Sequence, residues 1–307
     1  MLRSLLVPLD GSGFSERSLP LAREVARATG ASLHLAHVHV PYEPDQLLAS
    51  TPFQYEGVDV SEYDEHHRKR EEGYLDRLER QLREEGMSVD VRLLDGLPVA
   101  DELTAYADET KTDMIFMTSH GYSGARRAWL GSVADEMIHR TTLPMLLVHP
   151  DENVGYETPL DVKHILVPLD GSTLAEAVLG PATELAKATG ARLTLVHVIH
   201  APTYLGSPII PRFPESLGPE GVGLPAYLEG TADALREEGL EIAVHTERGT
   251  SLAKSIADIA AQLDADLIAI ATHGYGGLKR AVLGSVADRL LHVTRLPLLL
   301  IRPAPEA

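Results

Sequence analysis

Short apolar runs alternate with amphipathic stretches along the chain. The first apolar run covers 2–9, a helical pattern follows at about 14–29, and a second apolar run occupies 32–40. The helical pattern stops at Gly30, and glycine in that place is typical of a left-handed helix C-cap. The pattern therefore predicts a strand, a helix and a second strand in succession.

Helices and strands continue to alternate over the next hundred or so residues. A charged stretch at about 60–85 has its apolar positions mostly three, four or seven residues apart, which predicts a helix with one buried stripe. The further predictions are a strand at 88–94, a helix at 98–109, a strand at 113–118, a helix from Ser132 and a strand at 144–148. Strands that alternate with long helices imply parallel pairing through right-handed crossovers, with helices on both faces of the sheet.

The whole pattern occurs twice. LLVPLDGS at 5–12 returns as ILVPLDGS at 165–172, and SHGYSGARRAWLGSVAD at 119–135 returns as THGYGGLKRAVLGSVAD at 272–288. The first pair lies 160 residues apart and the second 153, so the second copy has lost seven residues, net, between these motifs. Its predicted strands are 163–169, 192–199, 240–246, 266–271 and 297–301, and its predicted helices are 174–189, 251–263 and one from Ser285.

This duplication predicts an α/β protein of two tandem doubly wound domains, each with a five-stranded, parallel, Rossmann-like sheet. We place the domains at 1–150 and 163–307, with an approximate linker at 151–162. A stretch rich in proline and glycine at 201–221 predicts a surface loop. The closing runs LPMLLVHP and LPLLLIRP would leave apolar edges exposed in isolated domains. We therefore predict an intramolecular pseudo-dimer of the two repeats, and a homodimer stays open as well.

Composition narrows the range of partners. The chain has 45 acidic and 27 basic residues, a formal charge of −18, which repels nucleic acid and anionic membrane surfaces. No apolar run approaches the roughly 20 residues that span a bilayer. There is no cysteine, which fits a reducing compartment. We expect a cytoplasmic protein that binds neither nucleic acid nor membrane.

A histidine-glycine pair, nine further residues and a glycine-serine pair precede the last helix of each copy. The motif occupies His120, Gly121, Gly131 and Ser132 in the first copy and His273, Gly274, Gly284 and Ser285 in the second. Glycine lets the backbone approach a phosphate, and the amides at a helix start attract it. A turn with a serine N-cap would explain a single Gly-Ser pair, but the duplication at fixed spacing favours phosphate binding.

An aspartate ends the first predicted strand of each copy, Asp10 in the first and Asp170 in the second. Open parallel sheets bind ligands at this edge, near the switch in strand order. Each carboxylate could accept a hydrogen bond from a ribose hydroxyl or an adenine amino group. A simple Asp-Gly-Ser turn explains the same residues equally well, and local chemistry leaves both interpretations open.

Together these motifs resemble the universal stress protein family. The resemblance rests on VPLDGS, LAHVHV or LVHVIH, the His-Gly to Gly-Ser loop and GSVAD, and it covers essentially the whole chain twice. It implies a universal stress protein fold that binds ATP or a related adenine nucleotide, with Mg²⁺ as an option beside the phosphates. The binding residues it implies are Asp10, Val38, Gly121, Gly131 and Ser132, and Asp170, Val198, Gly274, Gly284 and Ser285.

One position departs from the family pattern of Gly, two residues, Gly, nine residues, Gly, then Ser or Thr. The first glycine is replaced by Thr118 in the first copy and by Ala271 in the second. Threonine adds more bulk, at a β-branched carbon. The first copy is therefore predicted to be the weaker site, and because some relatives bind no nucleotide, empty sites stay an alternative.

Three functions compete at this point. The first is a nucleotide-binding stress or regulatory protein in which hydrolysis is slow or absent. The second is an ATPase or nucleotide hydrolase, for which His120, His273 and the two aspartates are the suspects, although no dedicated catalytic set is visible and none is assigned. The third is a nucleotide-free scaffold. The histidines at 37, 39 and 197 are interpreted as core or edge residues, and no metal site is assigned.

Overall fold

The structure is a computed structural model that describes residues 1–41, 60–119, 130–149, 160–200, 223–272 and 283–303. We call residues 1–149 the first half and 160–303 the second half. The elements of the first half are β1 (Ser4–Pro8), α1 (Leu19–Thr29), β2 (Ser32–His39), α2 (Val60–Glu84), β3 (Val89–Asp95), α3 (Val99–Glu109), β4 (Met114–Thr118), α4 (Ser132–Arg140) and β5 (Met145–Val148).

The second half repeats this order. Its elements are β6 (His164–Pro168), α5 (Leu179–Thr189), β7 (Arg192–His200), α6 (Leu224–Glu237), β8 (Ile242–Gly249), α7 (Leu252–Gln262), β9 (Leu267–Ala271), α8 (Ser285–Val293) and β10 (Leu298–Ile301). Within the described ranges no helix is long and apolar enough to cross a membrane.

Each half contains a five-stranded parallel sheet. The first half has the order β3-β2-β1-β4-β5 and the second β8-β7-β6-β9-β10. The chain switches direction across the sheet between β1 and β4, and again between β6 and β9. Such a switch opens a crevice at the carboxyl ends of the strands. The predicted fold class, two tandem doubly wound α/β domains, is confirmed.

Helices cover both faces of the sheet. Successive strand residues point to opposite faces, and on these strands both sets are apolar and need to be buried. On β4, Met114 and Phe116 belong to a buried apolar cluster that includes α1 and α2 residues. Ile115 and Met117 belong to a second cluster that includes α3 and α4 residues. The strands therefore read as continuous apolar runs, as the sequence shows.

Strands β5 and β10 join the two sheets. They pair antiparallel, with Leu298 opposite Leu147 and Leu300 opposite Met145, so the ten strands form one sheet. Leu298 and Leu147 are fully buried. Helix α1 also packs against α5 of the other half. The strand order is the same on both sides of this junction when read outward from it.

The predicted helices at 14–29 and 174–189 are wrong in one respect, since each is broken. A 3₁₀ turn, Ser15–Ser18, precedes α1, and a one-turn helix, Thr173–Glu176, precedes α5. Pro20 and Pro181 have no amide hydrogen and clash with the preceding helical turn, so one continuous helix cannot run through either residue. The C-caps are as predicted, with Gly30 and Gly190 in the left-handed region at φ 72°.

Candidate functional site

A cavity of about 260 Å³ lies at the carboxyl ends of β1, β2 and β4, where the first half switches strand order. The first turns of α3 and α4 close its other side. Four of the residues predicted from the sequence, Asp10, Val38, Gly131 and Ser132, line this one cavity. The structure thus brings together positions that are up to 122 residues apart in the chain.

The first-half cavity has an apolar wall on the α3 and α4 side. Val38 from β2, Met117 from β4, and Val99 and Leu103 from α3 line it there, and Val38, Leu103 and Met117 are buried. All four belong to or pack against the apolar cluster on that side of the sheet. The wall offers no charge, so it suits the flat face of an apolar or aromatic group.

Asp10 and Asp170 adopt the same turn in the two halves. The Ser12 amide donates to Oδ1 of Asp10 at 2.9 Å, and the Ser172 amide donates to Oδ1 of Asp170 at 3.0 Å. The serine hydroxyls donate to the same oxygens. The turn role that the sequence allowed is therefore present, and it fixes each carboxylate at the end of its strand. An ionised carboxylate accepts several hydrogen bonds, so this role and ligand binding are compatible.

The helix starts at Gly131 and Gly284 match each other closely. Gly131 has φ −72° and ψ 152°, Gly284 has φ −67° and ψ 148°, and no side chain caps either helix. The Gly131 amide donates to the Ser119 carbonyl at 2.6 Å, and the Gly284 amide donates to the Thr272 carbonyl at 2.6 Å. Because the backbone is extended here, glycine is not required for conformation. In the first half, Gly131 and residues 132–134 line the cavity, so the first helical turn with its backbone amides borders it.

Thr118 also lines the cavity, at the position where the family pattern has its first glycine. Strand alternation places its side chain on the same face as Met114 and Phe116, opposite to the face of Met117. In this orientation the side chain of Thr118 should crowd a ligand at the apolar wall less than the sequence analysis predicts. The relative strength of the two sites stays a prediction.

His37 and His197 occupy equivalent places behind the first strands. Nδ1 of His37 donates to the Leu9 carbonyl at 2.8 Å, and Nδ1 of His197 donates to the Leu169 carbonyl at 2.8 Å. Burial is the main cause that lowers the pKa of His197, and the bond to the Leu169 carbonyl opposes it. These contacts fit the structural role expected from the sequence. His37 additionally lines the cavity, a role that the sequence analysis did not assign to it.

The second half carries the same frame with different lining residues. Asp170, Val198, Gly284 and Ser285 occupy the places of Asp10, Val38, Gly131 and Ser132. Position by position, Ser15 is replaced by Ala175, Val99 by Leu252, Leu103 by Ile256, Met117 by Ile270, Thr118 by Ala271 and Ser119 by Thr272. The sequence analysis did not select Ser15 or Ser119. The hydroxyl of Ser15 has no counterpart in Ala175, whereas Thr272 keeps the hydroxyl of Ser119 and adds a methyl group.

Some predicted residues lie outside the described residues, namely Gly121, Gly274, His120 and His273. In the part of the chain that the structure describes, no group of three histidine, aspartate or glutamate side chains could hold a metal ion.

Two doubly wound halves, each with a switch point in its sheet, define a tandem α/β protein of the Rossmann-like class. The model of the universal stress protein family matches residues 1–149 and 161–302. The chain belongs to the universal stress protein family, in its tandem form, as the sequence motifs indicated. Family membership supports a role in the stress response.

Known relatives show the same relation. A universal stress protein of Mycobacterium tuberculosis is 27% identical over 218 residues, which cover 70% of each chain. Universal stress protein A homolog 1 of Coxiella burnetii is 34% identical over 145 residues, 45% of this chain and 95% of the relative. The crystal structure of a universal stress protein from Archaeoglobus fulgidus aligns with a TM-score of 0.65 at 20% identity, over 99% of this chain and 97% of that chain. At that identity the likeness shows the fold alone.

Proposed function

We propose that this chain binds ATP or a related adenine nucleotide as a regulatory ligand, with slow or absent hydrolysis. The observation that carries the proposal is the convergence of Asp10, Val38, Gly131 and Ser132 on one cavity at the switch point of the first sheet. The same frame in the second half makes it a second candidate site.

The chemistry of the cavity suits the three parts of a nucleotide. The apolar wall around Val38 and Met117 fits the face of a base, and Asp10 stands at the strand end where a ribose hydroxyl could donate to it. The first turn of α4, from Ser132, presents backbone amides, which attract phosphate despite the acidic net charge of the chain. At about 260 Å³ the cavity is near the lower limit for a ligand pocket. It would enclose the nucleoside and leave the phosphates towards its opening.

The described residues favour holding a nucleotide over cleaving it. His37 is the histidine at the cavity, and its Nδ1 already donates to the Leu9 carbonyl while its Nε2 lies 3.2 Å from Oε1 of Glu71. It is therefore a poor general base for a bound phosphate. Mg²⁺ would enter with the phosphates, because no metal-binding group of side chains occurs within the described ranges.

We also propose that the two halves form an intramolecular pseudo-dimer through β5 and β10. The antiparallel pairing of these strands hides the edge that each sheet would otherwise expose. The matching strand order on both sides of the junction is what an approximate twofold axis would produce. A homodimer of whole chains would need a further surface.

The decisive experiment is to denature the purified protein and identify the released small molecules, followed by calorimetric titration of the apo protein with ATP. We expect adenine nucleotide or measurable ATP binding, weakened in one site by Asp10→Ala and in the other by Asp170→Ala. A phosphate-release assay with concentrated protein separates binding from hydrolysis. If the protein releases no nucleotide and binds no ATP, the nucleotide-free scaffold is favoured. Rapid phosphate release would favour the hydrolase.

A further inference from the structure

Four ionisable side chains form a cluster between β2 and α2, which we call the His39 cluster: His37, His39, Asp64 and Glu71. Nδ1 of His39 lies 2.6 Å from Oε2 of Glu71, and its Nε2 lies 3.3 Å from Oδ2 of Asp64. The side chain of His39 is only 2% exposed. Both ring nitrogens of a buried histidine thus face carboxylates from one helix.

This geometry requires a protonated ring. A neutral imidazole has one N–H, so only one of its nitrogens can donate, and the other would place a lone pair against a carboxylate oxygen. The imidazolium form donates from both nitrogens and satisfies Glu71 and Asp64 together. Protonation of His39 therefore decides whether both bonds between β2 and this part of α2 exist.

The other charged groups around His39 favour the same form. Asp95 of β3 pairs with it in register, and Arg68 of α2 forms an ion pair with Asp95 and lies near Glu72. Burial by itself would lower the pKa of His39, but the hydrogen bonds to Glu71 and Asp64 and the charges of these carboxylates together outweigh burial, so that pKa lies above its usual range. Four carboxylates against one guanidinium leave a local excess of negative charge.

The first part of α2 depends on these charges for its attachment. From residue 61 to residue 73 the helix has no buried side chain, and Leu75, Leu78 and Leu82 carry its buried stripe further on. The contacts of that first part with the sheet include the two bonds of His39, the pair between Glu71 and His37 and the pair between Arg68 and Asp95. An apolar stripe therefore secures the end of α2, whereas charge secures its beginning.

The His39 cluster also reaches the cavity wall. The second oxygen of Glu71 lies 3.2 Å from Nε2 of His37, and His37 donates to the Leu9 carbonyl. His37, Val38 and Leu9 all line the cavity. A change in the position of Glu71 would thus alter its contact with His37, and through His37 the contact with Leu9, and both residues line the cavity.

The second half lacks this arrangement. Ile199 stands at the position of His39, and Leu224, at the start of α6, stands at the position of Glu71. Leu224 is 2% exposed and belongs to an apolar core cluster. Any effect of His39 protonation is therefore confined to the first half, and the second half supplies a natural apolar control.

We propose that His39 is a proton-dependent latch: its imidazolium fastens the beginning of α2 to β2 beside the first-half cavity, and loss of the proton releases it. The consequence for the ligand rests on the proposed function. Nucleotide binding in the first half should be weaker at higher pH, where the latch is released, than at lower pH. The sign follows from linkage. A group whose folded-state pKa is raised stabilises fully below its unfolded value, about 6.5 for histidine, and that stabilisation is lost as the pH rises through the raised pKa.

Hydrogen exchange of the ligand-free full chain tests the latch without any nucleotide. We expect the protection factors of amides 64–73, corrected for intrinsic exchange, to fall between pH 5.5 and 8.5. The fall should be about tenfold for each unit by which the pKa of His39 in the latched state exceeds that in the released state. Titration of the His39 ring by NMR, assigned by the signal that disappears in His39→Gln, gives that difference independently.

Three variants make the test specific. His39→Gln should leave amides 64–73 weakly protected at every pH, because Glu71 and Asp64 lose their shared donor. The double variant His39→Ile with Glu71→Leu places the residues of the second half at both positions and should show protection that does not vary with pH, because neither new side chain titrates. His245→Gln, which removes a histidine near Glu247 on β8, should leave the wild-type profile unchanged. Flat protection in the wild type, or a wild-type slope in His39→Gln, overturns the latch.

ATP titration separates the latch from the proposed function. With the second site removed by Asp170→Ala, ATP affinity should fall with rising pH relative to the site that remains in Asp10→Ala, so titration of ATP itself cancels between the two. A pH-dependent exchange profile without any ATP binding supports the latch and refutes the nucleotide proposal. ATP binding with the same pH dependence in both halves refutes the regulation of the site by His39.

Discussion

Replacing Gly131 by valine would test the candidate phosphate site most directly. Both backbone groups of Gly131 already serve the fold, since its amide donates to the Ser119 carbonyl at 2.6 Å and its carbonyl accepts from the Asp135 amide at 2.9 Å. Valine keeps both bonds. The backbone angles of Gly131, φ −72° and ψ 152°, suit a β-branched residue. We therefore expect the variant to fold.

The two effects of Gly131→Val differ in size. Loss of a glycine N-cap costs the fold about 1 kcal/mol or less, because glycine contributes no side-chain bond here. At the cavity, a branched side chain next to Ser132 would keep a phosphate away from the amides of α4. Each lost hydrogen bond to a charged group is worth about 1.5–3 kcal/mol, which is about ten- to a hundredfold in Kd.

Calorimetry with ATP in the Asp170→Ala background would measure the first site alone, and thermal unfolding would measure stability in the same samples. Gly284→Val in the Asp10→Ala background is the matched experiment for the second site. Unchanged ATP affinity in a folded Gly131→Val protein would show that the start of α4 does not bind phosphate. A variant that fails to fold would instead refute our account of the backbone at Gly131.

Two other predictions concern the asymmetry of the sites and the junction. Because strand alternation turns the side chain of Thr118 away from the apolar wall, Thr118→Ala should change first-site ATP affinity by about threefold or less, as measured by calorimetry; a tenfold gain would restore the crowding argument. Residues 1–149 alone should dimerise through the exposed β5 edge in analytical ultracentrifugation, and a stable monomer would contradict that. In the full chain, Leu299→Ala should cost about 2–5 kcal/mol of unfolding free energy, because Leu299 is fully buried opposite Leu146.

The fold could be predicted from the sequence because its signals are local and occur twice. Apolar runs that end in Asp10 and Asp170, with helical patterns stopped by Gly30 and Gly190, fix the order of strands and helices. Parallel topology then follows from the length of the crossovers. The interruptions before α1 and α5 were missed because Pro20 falls early in a convincing helical pattern, where proline is also tolerated in a first turn.

The candidate site was predictable only in part. Asp10, Val38, Gly131 and Ser132 belong to recognisable motifs, and their convergence at one cavity follows from the switch point. Ser15 and Ser119 carry no such signal, because a serine in a turn is ordinary. Strand alternation predicts that the side chain of Thr118 lies on the opposite face of β4 from that of Met117. The use of this prediction depends on knowing which face of β4 the cavity adjoins.

The contacts of the His39 cluster could not be predicted from the sequence, even though the fold could. Asp64 and Glu71 look like members of a solvated, charge-rich helix, and His39 looks like an edge residue of a strand, 25 residues before Asp64. Only the crossover brings them within hydrogen-bond distance, with both nitrogens of one ring between two carboxylates. The comparison of the halves then gives the pairing its meaning, because Ile199 and Leu224 stand where His39 and Glu71 stand. Neither of these apolar side chains titrates, whereas a buried imidazolium keeps its two hydrogen bonds only while it keeps its proton. Two copies of one frame can therefore bind similar ligands and still respond differently to pH.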